Sequence, residues 1–206
     1  RDQAALRTEG DGDVNIELDG DNYLKSSFAS HAAGLNKGNS GTLTINDEDN
    51  SGKLEATGGY GGAGIGGGAS DINGPYCNGS NITISGGTVA VWTANAADNS
   101  PLDADGTVTI SGGNITARGG SSDNPNAICG AGIGGGGGFG NATVTITGDA
   151  VIEEATGGGG CAGIGNGYYN SKTDITISGN AEVKNVQGGA QGADVLPSHR
   201  RRHFFC

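Results

Sequence analysis

The sequence contains no methionine, only four prolines, and aromatic residues at 5%. Hydrophobic residues reach 33%, too few for a compact globule with a broad core. No apolar run approaches the roughly 20 residues that a membrane-spanning helix needs. Basic residues are scarce: Lys and Arg number 11 against 22 Asp and Glu, a formal charge of −11. This balance argues against nucleic acid as a partner and against membrane insertion or binding to anionic surfaces. It is compatible with calcium and with neutral glycans. The four cysteines form no C-x-x-C pair, so zinc is not indicated. His31, His199 and His203 form no triad with an identifiable serine. Arg1 is not a natural start, so the chain is expected to be a mature or excised fragment.

Glycine is abundant, at 44 residues, but without the G-X-Y period of collagen. It is also not linker-like. GGAGIGGG at 61–68 returns as GAGIGGGG at 130–137 and CAGIGNG at 161–167. Each copy places one large apolar residue among glycines: Ile65, Ile133 and Ile164. Short strands with period-2 alternation recur as VNIEL (14–18), TLTI (42–45), NITI (81–84), TVTI (107–110), TVTI (143–146) and DITI (174–177). Alternation puts Val108 and Ile110 on one face and Thr107 and Thr109 on the other. The same parity holds for Leu43/Ile45, Ile82/Ile84, Val144/Ile146 and Ile175/Ile177, and burying the apolar side fixes the register.

A tight turn follows: SGG (85–87), SGG (111–113), TGD (147–149) or SGN (178–180). A second strand comes next: KLEATGG (53–59), TVAVW (88–92), NITARGG (114–120), VIEEATGG (151–158) and EVKNVQGG (182–189). Leu54, Val89 and Ile115 are expected inside. The last two units carry a small insertion that predicts a bulge. AGIG then supplies a third wall, with HAAGL (31–35) and AQGADV (190–195) as its weaker versions. The unit beginning at Ile82 has no AGIG and is read as irregular.

Regular strands joined by variable loops predict an all-β, single-stranded, right-handed parallel β-helix. Three strands per coil and about five to six coils are expected. Residues 1–11 are read as an N-terminal cap, 12–195 as the β-helix domain, and 196–206 as a basic tail, either a cap or an artefact.

The pattern VNIELDGDNYL, HAAGL, GTLTI and SGKLEATGGYGGAGIGGG, followed by NITISGGTV, TVTISGGNITARGG and GAGIGGG, resembles a known repeat type. It is similar to the carbohydrate-binding-domain β-helix modules of secreted and surface proteins from anaerobic, often gut, bacteria. The likeness covers roughly residues 12–190. It implies an extracellular, cell-surface module with a glycan-binding or adhesive role, sometimes with calcium, and no fixed catalytic signature.

Residue chemistry gives several candidate sites. Tyr76, Phe139, Tyr168 and Tyr169 all fall in the loop after AGIG. Stacked coils would align them along one edge, where flat rings suit sugar C–H faces; alternatively they fill gaps between loops. Trp92 lies elsewhere and would widen such a surface. DEDNSGKLE (47–55) opens like a calcium loop, making Asp47, Asp49, Ser51 and Glu55 a candidate metal set. Gly58 stands where an EF-hand has its bidentate glutamate, and such clusters are commonly turns. No cofactor is required by this reading, with Ca2+ as the one candidate. Arg118 is the basic residue best placed for a polysaccharide lyase, with Glu153 and Glu154 one coil later, and a salt bridge between coils explains the three better. Threonines stacked on the outer face resemble an ice-binding array, but Thr is also an ordinary outward residue of wet strands. Cys129 and Cys161 would come within bridging range in adjacent coils.

The resulting expectation is a non-catalytic surface module that binds carbohydrate or acts as an adhesin, beside other modules of a larger protein. The alternative is a structural spacer, with lyase and ice-binding readings behind it.

Overall fold

The computed structural model describes residues 4–26, 32–38, 40–59, 63–67, 82–93, 102–103, 106–119, 130–134, 141–167 and 172–189. β-Branched residues at alternate positions, punctuated by Gly-containing turns, make short strands. The first coil runs β1 (Leu6–Thr8), β2 (Val14–Glu17) and β3 (Asp21–Lys25). The second runs β4 (Leu35–Lys37), β5 (Leu43–Asn46) and β6 (Lys53–Gly58). The third runs β7 (Ile65–Gly66), β8 (Ile82–Ile84) and β9 (Thr88–Thr93). The fourth runs β10 (Leu102–Asp103), β11 (Gly106–Ile110) and β12 (Asn114–Arg118). The fifth runs β13 (Ile133–Gly134), β14 (Asn141–Ile146) and β15 (Val151–Thr156). The sixth runs β16 (Ile164–Gly165), β17 (Lys172–Ile177), β18 (Glu182–Val183) and β19 (Val186–Gln187).

Every strand pairs in parallel with its counterpart one coil away, giving three sheets. The first sheet is β1-β4-β7-β10-β13-β16, the second β2-β5-β8-β11-β14-β17, and the third β3-β6-β9-β12-β15-β18, with β19 also on β15. This is a parallel β-helix with three strands per coil and six coils among the described residues.

The interior is a set of apolar ladders. In the first sheet Leu35, Ile65, Ile133 and Ile164 are buried in one register, with Leu6 at the exposed end of the column and Leu102 at the register position between Ile65 and Ile133. Leu102 corrects one expectation. The unit beginning at Ile82 has no AGIG, yet its Leu102 takes the isoleucine's place in the ladder. The first sheet also begins at Leu6–Thr8, within the stretch 1–11 read as a cap. The weaker versions of the third wall divide: Leu35 pairs with Ile65, whereas 190–195 lies outside the described residues, as does the tail 196–206.

In the second sheet Leu43, Ile45, Ile82, Ile84, Val108, Ile110, Val144 and Ile146 are all buried. Leu54, Val89, Ile115 and Ile152 do the same in the third. The expected bulge is present: Ile115 pairs with Ile152, but Thr116 pairs with Glu154, leaving Glu153 as the extra residue.

Glycine is required at the third wall for two separate reasons. Gly134, after the ladder isoleucine, has φ +132, a conformation that side chains rarely adopt. Gly132, before it, packs so closely that a Cβ would sit 2.5 Å from the Gly163 carbonyl oxygen.

Candidate functional site

Three aromatic-bearing stretches of the sequence connect the first sheet to the second. The loop bearing Tyr76 leaves β7, that bearing Phe139 leaves β13, and that bearing Tyr168 and Tyr169 leaves β16. All enter the second sheet, at β8, β14 and β17. The four aromatic residues themselves lie outside the described residues. Their anchors are aligned: Ile133 and Gly134 pair with Ile164 and Gly165, and Leu102 bridges Ile65 to Ile133. Two polar atoms flank the root of the 168–171 loop, Asn166 Oδ1 and Thr173 Oγ1. Both are buried without a hydrogen-bond partner, an arrangement that costs about 1–3 kcal/mol per group.

Of the proposed calcium residues, Asp47, Asp49 and Ser51 share one turn, and Glu55 lies beyond it on β6. Asp47 is 5% exposed, and its Oδ2 accepts the Gly52 N–H at 2.8 Å, closing the turn on itself. Its Oδ1 is buried without a partner. Asp49 Oδ1 accepts the Ser51 N–H at 2.9 Å, and the Ser51 hydroxyl first, then this N–H, hold the Asp49 carboxyl below the usual range. Glu55 stands out on β6, in register with Tyr23 and Ala90. No three His, Cys, Asp or Glu among the described residues cluster to hold a metal ion. Asp47 and Asp49 each spend one carboxylate oxygen on a backbone N–H of this turn, so the turn closes by hydrogen bonds within itself.

The outer face of the third sheet carries the charged side chains. Arg118 donates from Nε to Glu154 Oε1 at 2.7 Å and from Nη2 to Oε2 at 2.9 Å. Thr156 Oγ1 donates to the same Oε1 at 2.9 Å. Arg118 holds the Glu154 carboxyl below the usual range, opposed next by burial and helped further by Thr156. The same contact raises Arg118. The bulged Glu153 takes Lys184 Nζ at 2.9 Å, and that bond raises Lys184. Trp92 holds the ladder position paired with Arg118 and with Thr57.

Tyr23 is 62% exposed on this face, with Lys53 Nζ 5.8 Å from its ring centroid. The sequence argument missed Tyr23. The signal was there: in DNYLK the alternation that buries Leu24 turns Tyr23 outward. Lys37 was also missed. It is buried in register with Thr8, and burial pushes its ammonium pKa down, partly opposed by Asp13.

The second sheet's outer face is plain by contrast. Asn15, Thr44, Thr83, Thr109, Thr145 and Thr176 form one column, as expected. Thr107, Thr143 and Asp174 form the neighbouring one, with Lys172 Nζ 2.7 Å from Asp174. Cys161 is buried and disulfide-bonded. The other three cysteines, Cys129 included, lie outside the described residues.

A family model described as a beta helix repeat matches residues 108–137 and 144–168. No curated protein and no solved structure matches the chain. The matched stretches begin in β11 and end just after β16, so the repeat model and the stacked sheets describe the same coils. The chain has the parallel β-helix fold, and residues 108–137 and 144–168 resemble this repeat family.

Proposed function

We propose that the chain is an extracellular, non-catalytic surface module that binds carbohydrate at the corner between the first and second sheets. The observation that carries this reading is the common origin of the aromatic loops. Strands β7, β13 and β16 stand in one ladder, and each is followed by a loop bearing Tyr or Phe. Tyr and Phe are residue types whose flat apolar faces suit sugar C–H faces. The unpartnered oxygens of Asn166 and Thr173 at the root of one such loop add buried polar groups to the same corner. The disulfide at Cys161 supports an oxidising, extracellular setting. The non-catalytic reading is supported by the occupation of Arg118, Glu153 and Glu154 in ion pairs.

A glycan array with the wild-type chain and a Tyr168→Ala/Tyr169→Ala variant tests the proposal. Binding that the variant loses is the expected result. Absence of any glycan signal for the wild type sinks it. Release of unsaturated uronides from pectin would overturn the non-catalytic part.

A spacer role is the second reading. It is favoured by the ion pairs that brace neighbouring coils on the third sheet, which suit a rigid rod whatever it carries.

A further inference from the structure

The corner between β5 and β6 holds a buried carboxylate that its surroundings do not satisfy. The other corners between the second and third sheets turn in three or four residues, whereas this one, 47–52, takes six. Leu43 and Ile45 are buried, and so is Asp47 two residues on, at 5% exposed. It lies between Leu18 of the first coil and Gly87 of the third. A Cβ on Gly87 would stand 2.8 Å from Leu18 Cδ1 and 3.5 Å from Asp47 Oδ2. Oδ2 accepts the Gly52 N–H, but Oδ1 is buried with no partner at all. The Asp49 carboxylate comes within hydrogen-bonding reach of the Asp47 carboxylate, and the Ser51 hydroxyl bonds to Asp49 as well. No ion pair among the described residues involves Asp47 or Asp49. A third carboxylate, Glu17 of the first coil, braces the same turn by accepting the Glu48 N–H at 2.6 Å and Asn46 Nδ2 at 2.8 Å. Adjacent carboxylates repel, and a buried carboxylate oxygen without a donor is costly. Both conditions are relieved by a positive charge placed between the two groups.

We propose that the 47–52 turn binds one Ca2+ ion, with Asp47 Oδ1 as its buried ligand and the Asp49 carboxylate and Ser51 hydroxyl as its exposed ones. Asp49 and Ser51 face solvent and give the ion its side of entry. Glu55, beyond the turn on β6, is not a ligand.

The ion class follows from the donors. The turn offers oxygen only, with no imidazole or thiolate to favour zinc or copper. Magnesium demands near-ideal octahedral geometry, whereas calcium accepts an irregular set of six to eight oxygens that water and turn carbonyls can complete. Two carboxylates rather than three or four make a weak site, with Kd about 10⁻⁴–10⁻³ M, the range of extracellular modules. The formal charge of −11 draws cations to the chain. This corner lies between the second and third sheets, so the inference stands apart from the carbohydrate reading.

The test is calorimetric titration of the EDTA-stripped full chain with calcium chloride, with magnesium chloride as the second arm. Melting curves with EDTA and with about 10 mM calcium accompany it. Calcium should bind once and raise Tm by about 3–10 °C, and magnesium should do little. Asp47→Asn keeps the buried shape and loses the charge. Asp49→Asn removes the exposed ligand, where folding is not at stake. Each should weaken calcium binding by about tenfold or more and flatten the Tm response. Glu55→Gln and Asp149→Asn, the latter on another corner, should bind like the wild type. A wild type that takes up no calcium overturns the inference, and so does binding that survives in both Asp47→Asn and Asp49→Asn. Loss of binding in Glu55→Gln, or preference for magnesium, overturns the ligand set or the ion assigned here.

Discussion

Arg118 grips Glu154 through two parallel hydrogen bonds, although the residues are 36 apart in sequence. One coil of the solenoid brings them together. This pairing predicts a pH dependence. The Glu154 carboxyl is held below its usual range, chiefly by Arg118. A group whose folded pKa is depressed contributes stability above its unfolded pKa and loses it as pH falls through the folded value. Both partners are partly exposed, so solvent screening limits the pair to about 1 kcal/mol or less. Wild type should melt slightly higher than Glu154→Gln at neutral pH. The gap should close once the pH falls below about 4, and it should shrink in high salt. A gap that widens on acidification would contradict the assignment.

Ile146 and Ile177 are register partners, yet Ile146 is fully buried and Ile177 is 45% exposed. The same substitution should therefore cost very different amounts. Ile146→Ala removes a side chain packed on every side and should cost about 2–5 kcal/mol. Ile177→Ala, in the last described coil, should cost less than half as much. Urea unfolding of the two variants measures the difference. Equal costs would mean that the sixth coil is as tightly packed as the fifth.

The ladders were readable because two periodicities coincide: alternation within strands and recurrence between coils. Ile65, Ile133 and Ile164 stood out because glycine surrounds each of them. Leu102 did not stand out. Its strand is two residues long, too short for alternation to show, and Asp103 follows where the others have glycine. The bulge was readable because VIEEAT carries one residue more than NITAR. The candidate site was less readable. D-x-D-x-S-G is the opening of a calcium loop and also a good turn, and local sequence does not separate the two uses. The structure spends one carboxylate oxygen each of Asp47 and Asp49 on backbone N–H groups of their own turn. Arg118 with Glu154 was visible as a stacking coincidence, but its fork geometry was not.

Gly134 should be among the least replaceable residues. Its φ of +132 is strained for any side chain, and a Cβ there would press on the Gly165 carbonyl oxygen. Rigid backbone on the facing coil gives no easy relief. Gly134→Ala is expected to cost at least about 1–3 kcal/mol, the usual price of such a backbone conformation, before the clash is added. Gly12 is the control, since it has no positive φ and nothing lies within 4 Å of its would-be Cβ. Gly12→Ala should leave Tm nearly unchanged. Similar melting of the two variants would refute the close approach at the third wall.

The disulfide at Cys161 offers a test of both packing and compartment. The Cys161 N–H donates to the Gly158 carbonyl at 2.8 Å, and its own carbonyl accepts the Gly189 N–H at 2.9 Å. A crosslink at this residue therefore restrains the connection between the fifth and sixth coils. Cys129 precedes Ala131 by two residues as Cys161 precedes Ala162 by one, in segments that stack. Peptide mapping without reductant should recover Cys129 joined to Cys161; a bond to Cys77 or Cys206 would reject that pairing. Reduction should lower stability by about 2–4 kcal/mol, because the unfolded chain regains the freedom that the crosslink removes. Cys161 is buried, so reductant should act slowly on the folded protein and quickly once urea opens it. Rapid reduction of the native chain would mean that the last coils open easily, and would weaken the case for a bond suited to an oxidising exterior.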